Sequence, residues 1–227
     1  MIHRYQHTEH LRVGVSRCAC DVCRALGDAA THNGPEHDTR IDQVLQFGER
    51  TLHILGGTTR CARVMMQTLL GRNDLTGLRV AELGAGTGLM TQALAVLGAE
   101  VWTTDQAPVL DVLEENIERN LTPEERSRVH VMPVYWGNMS EIDALKSASA
   151  PGLDLVLGSD LIFAQENNGA LVHTVHALCP PGKRFTLAYT QRFAFEEDFF
   201  VDLAQSFVEE SWSEEGDVSV FTWCRRA

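Results

Sequence analysis

Two acids and a glycine-rich turn lie close together in the sequence, in an order that could bind a ligand. A short apolar strand is expected at Leu78–Leu83, with Glu82 near its end, and the turn Gly84-Ala85-Gly86-Thr87-Gly88 follows it. Glycines adopt backbone angles that other residues avoid, so a ligand can lie against the bare main chain. Asp105 follows the next expected strand, Glu100–Thr104. This order of strand, acid, glycine turn and second acid predicts a site for an adenosine-containing cofactor.

The spacing of the glycines separates the possible cofactors. A dinucleotide site is marked by G-x-G-x-x-G or A, whereas this turn reads G-x-G-x-G and Leu89 occupies the place of the third small residue. A carboxylate at Glu82 would repel a pyrophosphate. It would attract the cationic amino acid end of S-adenosylmethionine. Asp105 could accept hydrogen bonds from the ribose hydroxyls of the same cofactor. We therefore favour S-adenosylmethionine over a nicotinamide or flavin, and over a turn that only makes a tight strand-to-helix connection.

Length and composition predict one ordinary domain. The 227 residues are 44% hydrophobic and 22% charged, and can bury a core without disulfides or metals. A net charge of −12 argues against a nucleic acid partner, and no apolar run approaches the length of a membrane span. Six cysteines and an N-terminus without an apolar signal stretch favour reduced thiols. We expect a cytoplasmic protein, with the nucleus as the alternative.

The first forty residues look irregular and contain the clustered cysteines Cys18, Cys20 and Cys23. Zinc needs four ligands, and Cys20 and Cys23 have a usable spacing. The segment offers no second pair of this kind, and any histidine partners would be chosen from many. We therefore expect ordinary reduced thiols and no metal site. The predicted organisation is an N-terminal extension over 1–40 and a single domain over 41–227.

Hydrophobic patterning predicts an α/β fold. A hairpin around Gly48-Glu49-Arg50 and a helix over Thr58–Leu70 are expected first. After Gly77, strands and helices alternate, which is typical of a parallel sheet with helices on both faces. Strands are expected at Leu78–Leu83, Glu100–Thr104, Arg128–Tyr135, Leu153–Leu157 and Arg184–Tyr189, and helices at Thr87–Leu97, Pro108–Asn120, Ser140–Leu145, Glu166–Cys179 and Phe195–Ala204. Two antiparallel strands, Phe207–Ser211 and Val218–Cys224, with a turn at Ser213–Asp217, would close a Rossmann-like seven-strand sheet.

Several stretches in this order resemble the seven-strand S-adenosylmethionine-dependent methyltransferases, and more narrowly family 16, the protein-lysine methyltransferases. They are Phe47–Ile54, Ala81–Leu89, Thr104-Asp105 with Asn116 and Asn120 downstream, Val134–Gly137, Asp154–Phe163 and Ala188–Arg192. The resemblance covers roughly the part of the chain from Ile41 to Cys224. It implies an S-adenosylmethionine-dependent enzyme that methylates lysine side chains of a protein.

The resemblance also implies roles for individual residues. The methionine half of the cofactor would lie against Glu82 and the glycine turn, the ribose against Asp105 and the adenine against Trp136, where an aromatic plane can stack. Asp160 and Phe163 match the D-x-x-Y element, where the substrate side chain meets the methyl group. The candidate cofactor-binding residues are Glu82, Gly84, Ala85, Gly86, Gly88, Asp105, Trp136 and Ser159, and the candidate catalytic residues are Asp160 and Phe163. A core tryptophan is the alternative for Trp136, and a helix-capping or turn aspartate for Asp160.

Two departures from the family pattern leave other activities open. The family usually has tyrosine where this chain has Phe163, and tends to have a tryptophan within the segment aligned with Thr58-Thr59-Arg60. The alternatives are methylation of a small molecule or of a histidine side chain, and a non-catalytic relative that binds cofactor or a partner. We expect the partner to be a lysine-bearing protein, with no nucleic acid or membrane partner, and the chain to act as a monomer.

Overall fold

The computed structural model describes residues 42–71 and 74–227. Its strands are β1 (Asp42–Phe47), β2 (Arg50–Leu55), β3 (Arg79–Leu83), β4 (Glu100–Asp105), β5 (Val129–Pro133), β6 (Leu155–Ser159), β7 (Arg184–Tyr189), β8 (Phe207–Glu215) and β9 (Val218–Arg225). Its α-helices are α1 (Arg60–Leu70), α2 (Leu89–Val96), α3 (Leu110–Asn120), α4 (Pro123–Arg126), α5 (Met139–Ala148), α6 (Asn168–Leu178) and α7 (Glu196–Leu203). Short 3₁₀ turns at Ala107–Val109 and Gln165–Asn167 precede α3 and α6.

Seven strands form one sheet in the order β5-β4-β3-β6-β7-β9-β8, and β1 pairs with β2 in a separate hairpin. Strands β3 to β7 are parallel, and β9 is antiparallel to β7 and β8. The chain moves outwards from β3 to β5 and then returns to the other side of β3 to form β6. This reversal makes the gap between β3 and β6 a topological switch point, where open α/β sheets bind ligands. The predicted fold class is confirmed.

Both faces of the sheet are covered, because its central strands are apolar on both sides. Val80 and Ala81, neighbours in β3, are each fully buried but belong to different core clusters, as the alternation of side chains along a strand requires. The hairpin, α1 and α2 cover one face, and α5, α6 and α7 cover the other. Representative side chains of the two layers are Ile54, Met65 and Leu94 on the first face and Leu145, Val175 and Phe199 on the second. Within the described residues, no helix is long and apolar enough to cross a membrane.

The hairpin is fixed to α3 by two asparagine side chains. Asn116 accepts from the Leu55 N–H at 2.6 Å and donates to the Leu55 carbonyl at 2.9 Å. Asn120 likewise accepts from the His53 N–H at 2.7 Å and donates to the His53 carbonyl at 3.0 Å. The two amides thus take the place of a neighbouring strand along the outer edge of β2. Asn116 also donates to the Thr87 carbonyl at 3.0 Å, which ties the hairpin to the glycine turn.

Strand β6 begins and ends two residues later than the sequence predicts. Its expected range, Leu153–Leu157, stops before Gly158. In the structure Gly158 and Ser159 continue the pairing with β7. A Cβ at Gly158 would clash with the side chain of Leu161. The glycine therefore allows Leu161 to pack against the strand and does not end it.

The last strands are longer than expected, and the turn between them is shorter. The predicted turn is Ser213–Asp217, but only Gly216 and Asp217 form the observed turn. Glu214 and Glu215 still pair with β9. Strand β8 lies at the edge of the sheet and is exposed over most of its length. Polar side chains therefore indicated its exposure, not its end.

Candidate functional site

The candidate site lies at the carboxyl end of the parallel strands, on both sides of the switch point. Glu82 is the penultimate residue of β3, Asp105 ends β4 and Ser159 ends β6. Because β3 lies between β4 and β6, the glycine turn that follows β3 has a strand-end acid on one side and the Ser159-Asp160 segment on the other. The structure therefore brings together residues that are far apart in the sequence.

The glycine turn has an open part and a packed part. The Gly86 N–H donates to Asp105 Oδ2 at 2.7 Å, and a Cβ at Gly86 would meet no atom of the described residues within 4 Å. Gly88 is the N-cap of α2, and a Cβ there would clash with Leu113. Both glycines have positive φ, 55° and 75° respectively. The turn thus leaves room for a ligand at Gly86 and allows close helix packing at Gly88.

Asp105 presents a fixed carboxyl group beside this open space. Its Oδ1 accepts from the Gln106 N–H at 2.7 Å, and Oδ2 accepts from Gly86. Burial raises the pKa of Asp105, and the two backbone N–H groups oppose this effect. Each carboxylate oxygen can accept a second hydrogen bond, so the group can still receive hydroxyl donors from a ligand.

Glu82 is a buried carboxyl group at the base of the turn. It is 1% exposed, and the Thr91 hydroxyl, which lies 2.6 Å from the Thr103 hydroxyl, donates to it. Burial raises the pKa of Glu82 to about 8, and the charge of Asp105 adds to this effect. A cationic ligand group beside Glu82 would favour its ionised form. A bound cation would therefore lower the pKa of Glu82 and favour its carboxylate form.

Two aromatic rings form a wall next to the turn. The ring centroids of Trp136 and Phe163 are 6.1 Å apart, with the planes tilted by 51°. A Cβ at Gly84 would lie 3.4 Å from Trp136 Cζ2 and 2.8 Å from Leu161 Cδ2. Trp136 is half-buried and packs against the core.

Asp160 is held in an unusual backbone conformation on the other side of the switch point. Its φ is 57°, a left-handed value that is uncommon for a residue with a side chain. Its N–H donates to the Ala188 carbonyl at 2.9 Å, and its Oδ1 lies 2.7 Å from Arg192 Nη2. Burial raises the pKa of Asp160, against the opposing charge of Arg192. The first helical turn after it begins at Gln165, so Asp160 is not a helix cap.

Sequence reasoning did not assign roles to several polar residues that the structure places here. Arg192 and Asn116 were within the stretches that carry the family resemblance, but their partners could not be read from the sequence. Arg192 had one usable signal: it follows β7, a strand adjacent to β6, so it belongs to the same sheet edge as Asp160. The sequence offers no indication of a role for Thr91, because its contact with Glu82 depends on how α2 packs against β3.

The cysteine cluster Cys18, Cys20 and Cys23 lies outside the described residues. Over 42–71 and 74–227, no group of three or more histidine, cysteine, aspartate or glutamate side chains could hold a metal ion.

Comparisons with known proteins agree on one family. A family model described as lysine methyltransferase matches residues 49–206. Protein N-lysine methyltransferase METTL21A of Danio rerio is 36% identical over 138 residues, 61% of each chain, and that of Mus musculus is 34% identical over the same share. EEF1A lysine methyltransferase 3 of Mus musculus is 32% identical over 150 residues, 65% of this chain and 61% of its own. The chain thus matches about 61% of the length of these curated relatives.

Solved structures show the same fold at low sequence identity. Magnesium protoporphyrin IX methyltransferase of Synechocystis PCC 6803, solved with bound SAM, has a TM-score of 0.54 at 16% identity, covering 72% of this chain and 77% of its own. The glycopeptide N-methyltransferase MtfA, complexed with sinefungin, has a TM-score of 0.57 at 15% identity, covering 76% and 89%. With a family model that spans more than half of its residues, the chain belongs to the lysine methyltransferase family.

Proposed function

We propose that this protein binds S-adenosylmethionine and transfers its methyl group to a lysine side chain of another protein. The observation that carries the proposal is the pairing of the open glycine turn at Gly86 with the fixed carboxyl group of Asp105, one strand away from Asp160. Family membership and the lysine methyltransferase names of the relatives support the acceptor type.

The residues present fit this cofactor. A ligand chain can lie over Gly86, where a Cβ would meet no atom within 4 Å among residues 42–71 and 74–227. Asp105 would accept from the ribose hydroxyls, and Glu82 would lie near the ammonium group of the amino acid end. Trp136 would offer a partly accessible ring to the adenine, with Ser159 at the opposite side of the turn. These are the donor and acceptor types that a nucleoside with a cationic amino acid requires.

The reaction asks mainly for alignment and for a neutral nucleophile. When bound, the cofactor supplies an electrophilic methyl group on a positively charged sulfur. The protein must hold the acceptor nitrogen in line with it and exclude water. A lysine side chain has an ordinary pKa of about 10.4, so it must lose a proton before it can attack. Asp160 would orient the amine, and the apolar ring of Phe163 would remove water around it.

The test is mass spectrometry of lysate proteins incubated with the full chain and cofactor carrying a deuterated methyl group. We expect the label on lysine side chains with the wild type. The Asp105→Ala variant should not transfer it, while the control Asp111→Ala, an exposed change on α3, should. Calorimetry that detects no binding of the cofactor or its demethylated product to folded protein would refute the proposal. Label on histidine or on small molecules would show a different acceptor, and binding without transfer would show a non-catalytic relative.

A further inference from the structure

An arginine that belongs to none of the candidate site residues lies between two carboxyl groups at the acceptor side of the site. Arg192 Nη2 is 2.7 Å from Asp160 Oδ1, and its Nε is 3.6 Å from Glu196 Oε1. The same Nη2 donates to the Ile162 carbonyl at 2.9 Å. The guanidinium therefore contacts the Asp160–Phe163 segment at two points and α7 at a third. The Arg192 guanidinium is therefore held between the Asp160–Phe163 segment and α7.

Glu196 fixes the loop that carries this arginine. The Glu196 side chain is fully buried, and its Oε2 accepts from the Tyr189 hydroxyl at 2.6 Å, the Arg192 N–H at 2.7 Å and the Phe193 N–H at 3.1 Å. A buried carboxyl group costs free energy unless it is paired and hydrogen-bonded, and here it is both. Glu196 thus keeps the backbone of residues 192 and 193 in place, and with it the direction of the guanidinium.

The charge of Arg192 matters because Asp160 alone would work against the reaction. A carboxylate close to an amine favours the ammonium form and raises the pKa of that amine. An ammonium group has no lone pair with which to attack the methyl carbon. A cation next to the carboxylate opposes this effect, as a neighbouring cationic group lowers the pKa of an active-site lysine in other enzymes.

We propose that Arg192 is a positioning residue of the acceptor site, which holds the Asp160 carboxylate and offsets its charge so that the acceptor lysine enters as a neutral amine. The inference rests on the proposed function. The acceptor releases its proton to solvent on entering. Its nitrogen then forms a bond to the methyl carbon as the carbon–sulfur bond breaks, the electron pair stays on sulfur, and the positive charge passes to the methylated nitrogen.

Other ionisable groups face this pair from neighbouring elements. They are Cys61 on α1, Tyr189 on β7, Glu196 on α7 and Asp217 in the β8–β9 turn, which acts on Cys61. Burial raises the pKa of Cys61 to about 11, with Asp160 adding to the rise and Arg192 opposing it. The thiol is therefore neutral in the pH range of the experiment below. The charges that act on the Asp160 carboxyl group are those of Arg192 and Glu196.

The test is the pH profile of tritiated methyl transfer into an unfractionated protein extract, between about pH 7 and about pH 9.5. For Arg192→Gln we expect about tenfold less transfer near pH 7.5, recovering to within about twofold of the wild type near pH 9.5, because one unit of amine pKa corresponds to a factor of ten. Arg192→Lys, which keeps the charge, should stay close to the wild-type profile. Cofactor affinity, measured by calorimetry, should be unchanged in both variants. The control is Arg226→Gln, an exposed change beyond the far end of β9.

A second variant separates charge from shape. Asp160→Asn combined with Arg192→Gln removes both charges, so transfer falls overall but the pH profile returns to that of the wild type. An equal loss at every pH in Arg192→Gln, or a double variant whose profile stays shifted, would overturn the inference. A wild-type chain that binds the cofactor but transfers no label would instead refute the proposed function, and with it this role of Arg192.

Discussion

At the scale of residues, the site is built from acids whose surroundings give them different tasks. Asp105 is fixed by two backbone N–H groups and is poised to accept hydrogen bonds. Burial disfavours the ionised form of Glu82, and the hydrogen bond from the Thr91 hydroxyl opposes this effect only in part. Asp160 has a guanidinium at 2.7 Å. Burial thus raises the pKa of all three carboxyl groups, and a different set of neighbours opposes this effect at each one.

The raised pKa of Glu82 makes stability depend on pH. In the unfolded chain this carboxyl group ionises near 4.5, and in the folded protein near 8. Between these values the folded state binds more protons than the unfolded state, so the free energy of unfolding falls as pH rises. We expect Glu82→Gln to lose this contribution, and therefore to gain stability relative to the wild type between pH 5 and pH 8. Urea unfolding at several pH values measures it.

Glu166→Gln, an exposed change, serves as the control and should keep the wild-type pH dependence. If Glu82→Gln and the wild type change in parallel with pH, burial does not suppress the ionisation of Glu82.

Two glycines of the same turn should respond differently to the same change. Both have positive φ, so alanine costs about 1–2 kcal/mol of backbone strain at either position. Gly88→Ala also clashes with Leu113, and we expect a clearly lower melting temperature. Gly86→Ala meets no atom within 4 Å in the part of the chain that the structure describes, and we expect a modest loss of stability but at least tenfold weaker cofactor binding. Thermal unfolding and calorimetry, done on both variants, distinguish the two roles. Equal affinity in Gly86→Ala and the wild type would mean that the cofactor does not lie over this turn.

At the scale of elements, the hairpin and α3 fit together because their repeats match. One helical turn separates Asn116 from Asn120 by about 6 Å, and two strand residues separate Leu55 from His53 by about 6.6 Å. Each asparagine therefore meets the N–H and the carbonyl of one residue of β2. The hairpin is thereby held against the helix that follows Asp105 in the chain.

The two asparagines form a matched pair for mutation. Asn116→Ala leaves the buried N–H and carbonyl of Leu55 without these bonds, and we expect a loss of about 3 kcal/mol in the free energy of unfolding. Asn120→Ala breaks equivalent bonds at an exposed residue, His53, where water replaces them, so we expect about 1 kcal/mol. Urea unfolding gives both values, and hydrogen exchange at the Leu55 amide gives a local measure. A larger loss for Asn120→Ala than for Asn116→Ala would contradict this account.

The elements themselves were largely predictable, whereas their side-chain partners were not. The range Arg184–Tyr189 agrees with the prediction, and the helix expected over Thr58–Leu70 differs only because Thr59 is its N-cap. Apolar periodicity determined these elements. The extent of β6 was misjudged, because the role of Gly158 depends on Leu161, whose position is set by tertiary packing. The link from Asn116 to β2 runs to backbone atoms, which have no sequence signature.

At the scale of the whole molecule, the site could be located from the sequence but not completed. Glycine spacing and strand-end acids indicated the cofactor side, because parallel strands of a sheet end at one edge. The contact between Arg192 and Asp160 depends on where β7 lies relative to β6, and so on the strand order. Local patterns do not specify this order.

The exposed edge strand β8 has a consequence for the behaviour of the protein in solution. It lies at the edge of the sheet with most of its nine residues exposed, and an edge strand of this kind can pair with a second molecule. Its acids, among them Glu210, Glu214 and Glu215, and a net charge of −12 keep copies apart by mutual repulsion. Salt near 1 M shortens the screening distance to about 3 Å and weakens that repulsion. We expect light scattering to rise with sodium chloride, and to rise at lower salt in Glu214→Gln; scattering that is independent of salt would show that the edge is protected in another way. Concentrated stocks of this protein are therefore best kept at a low salt concentration.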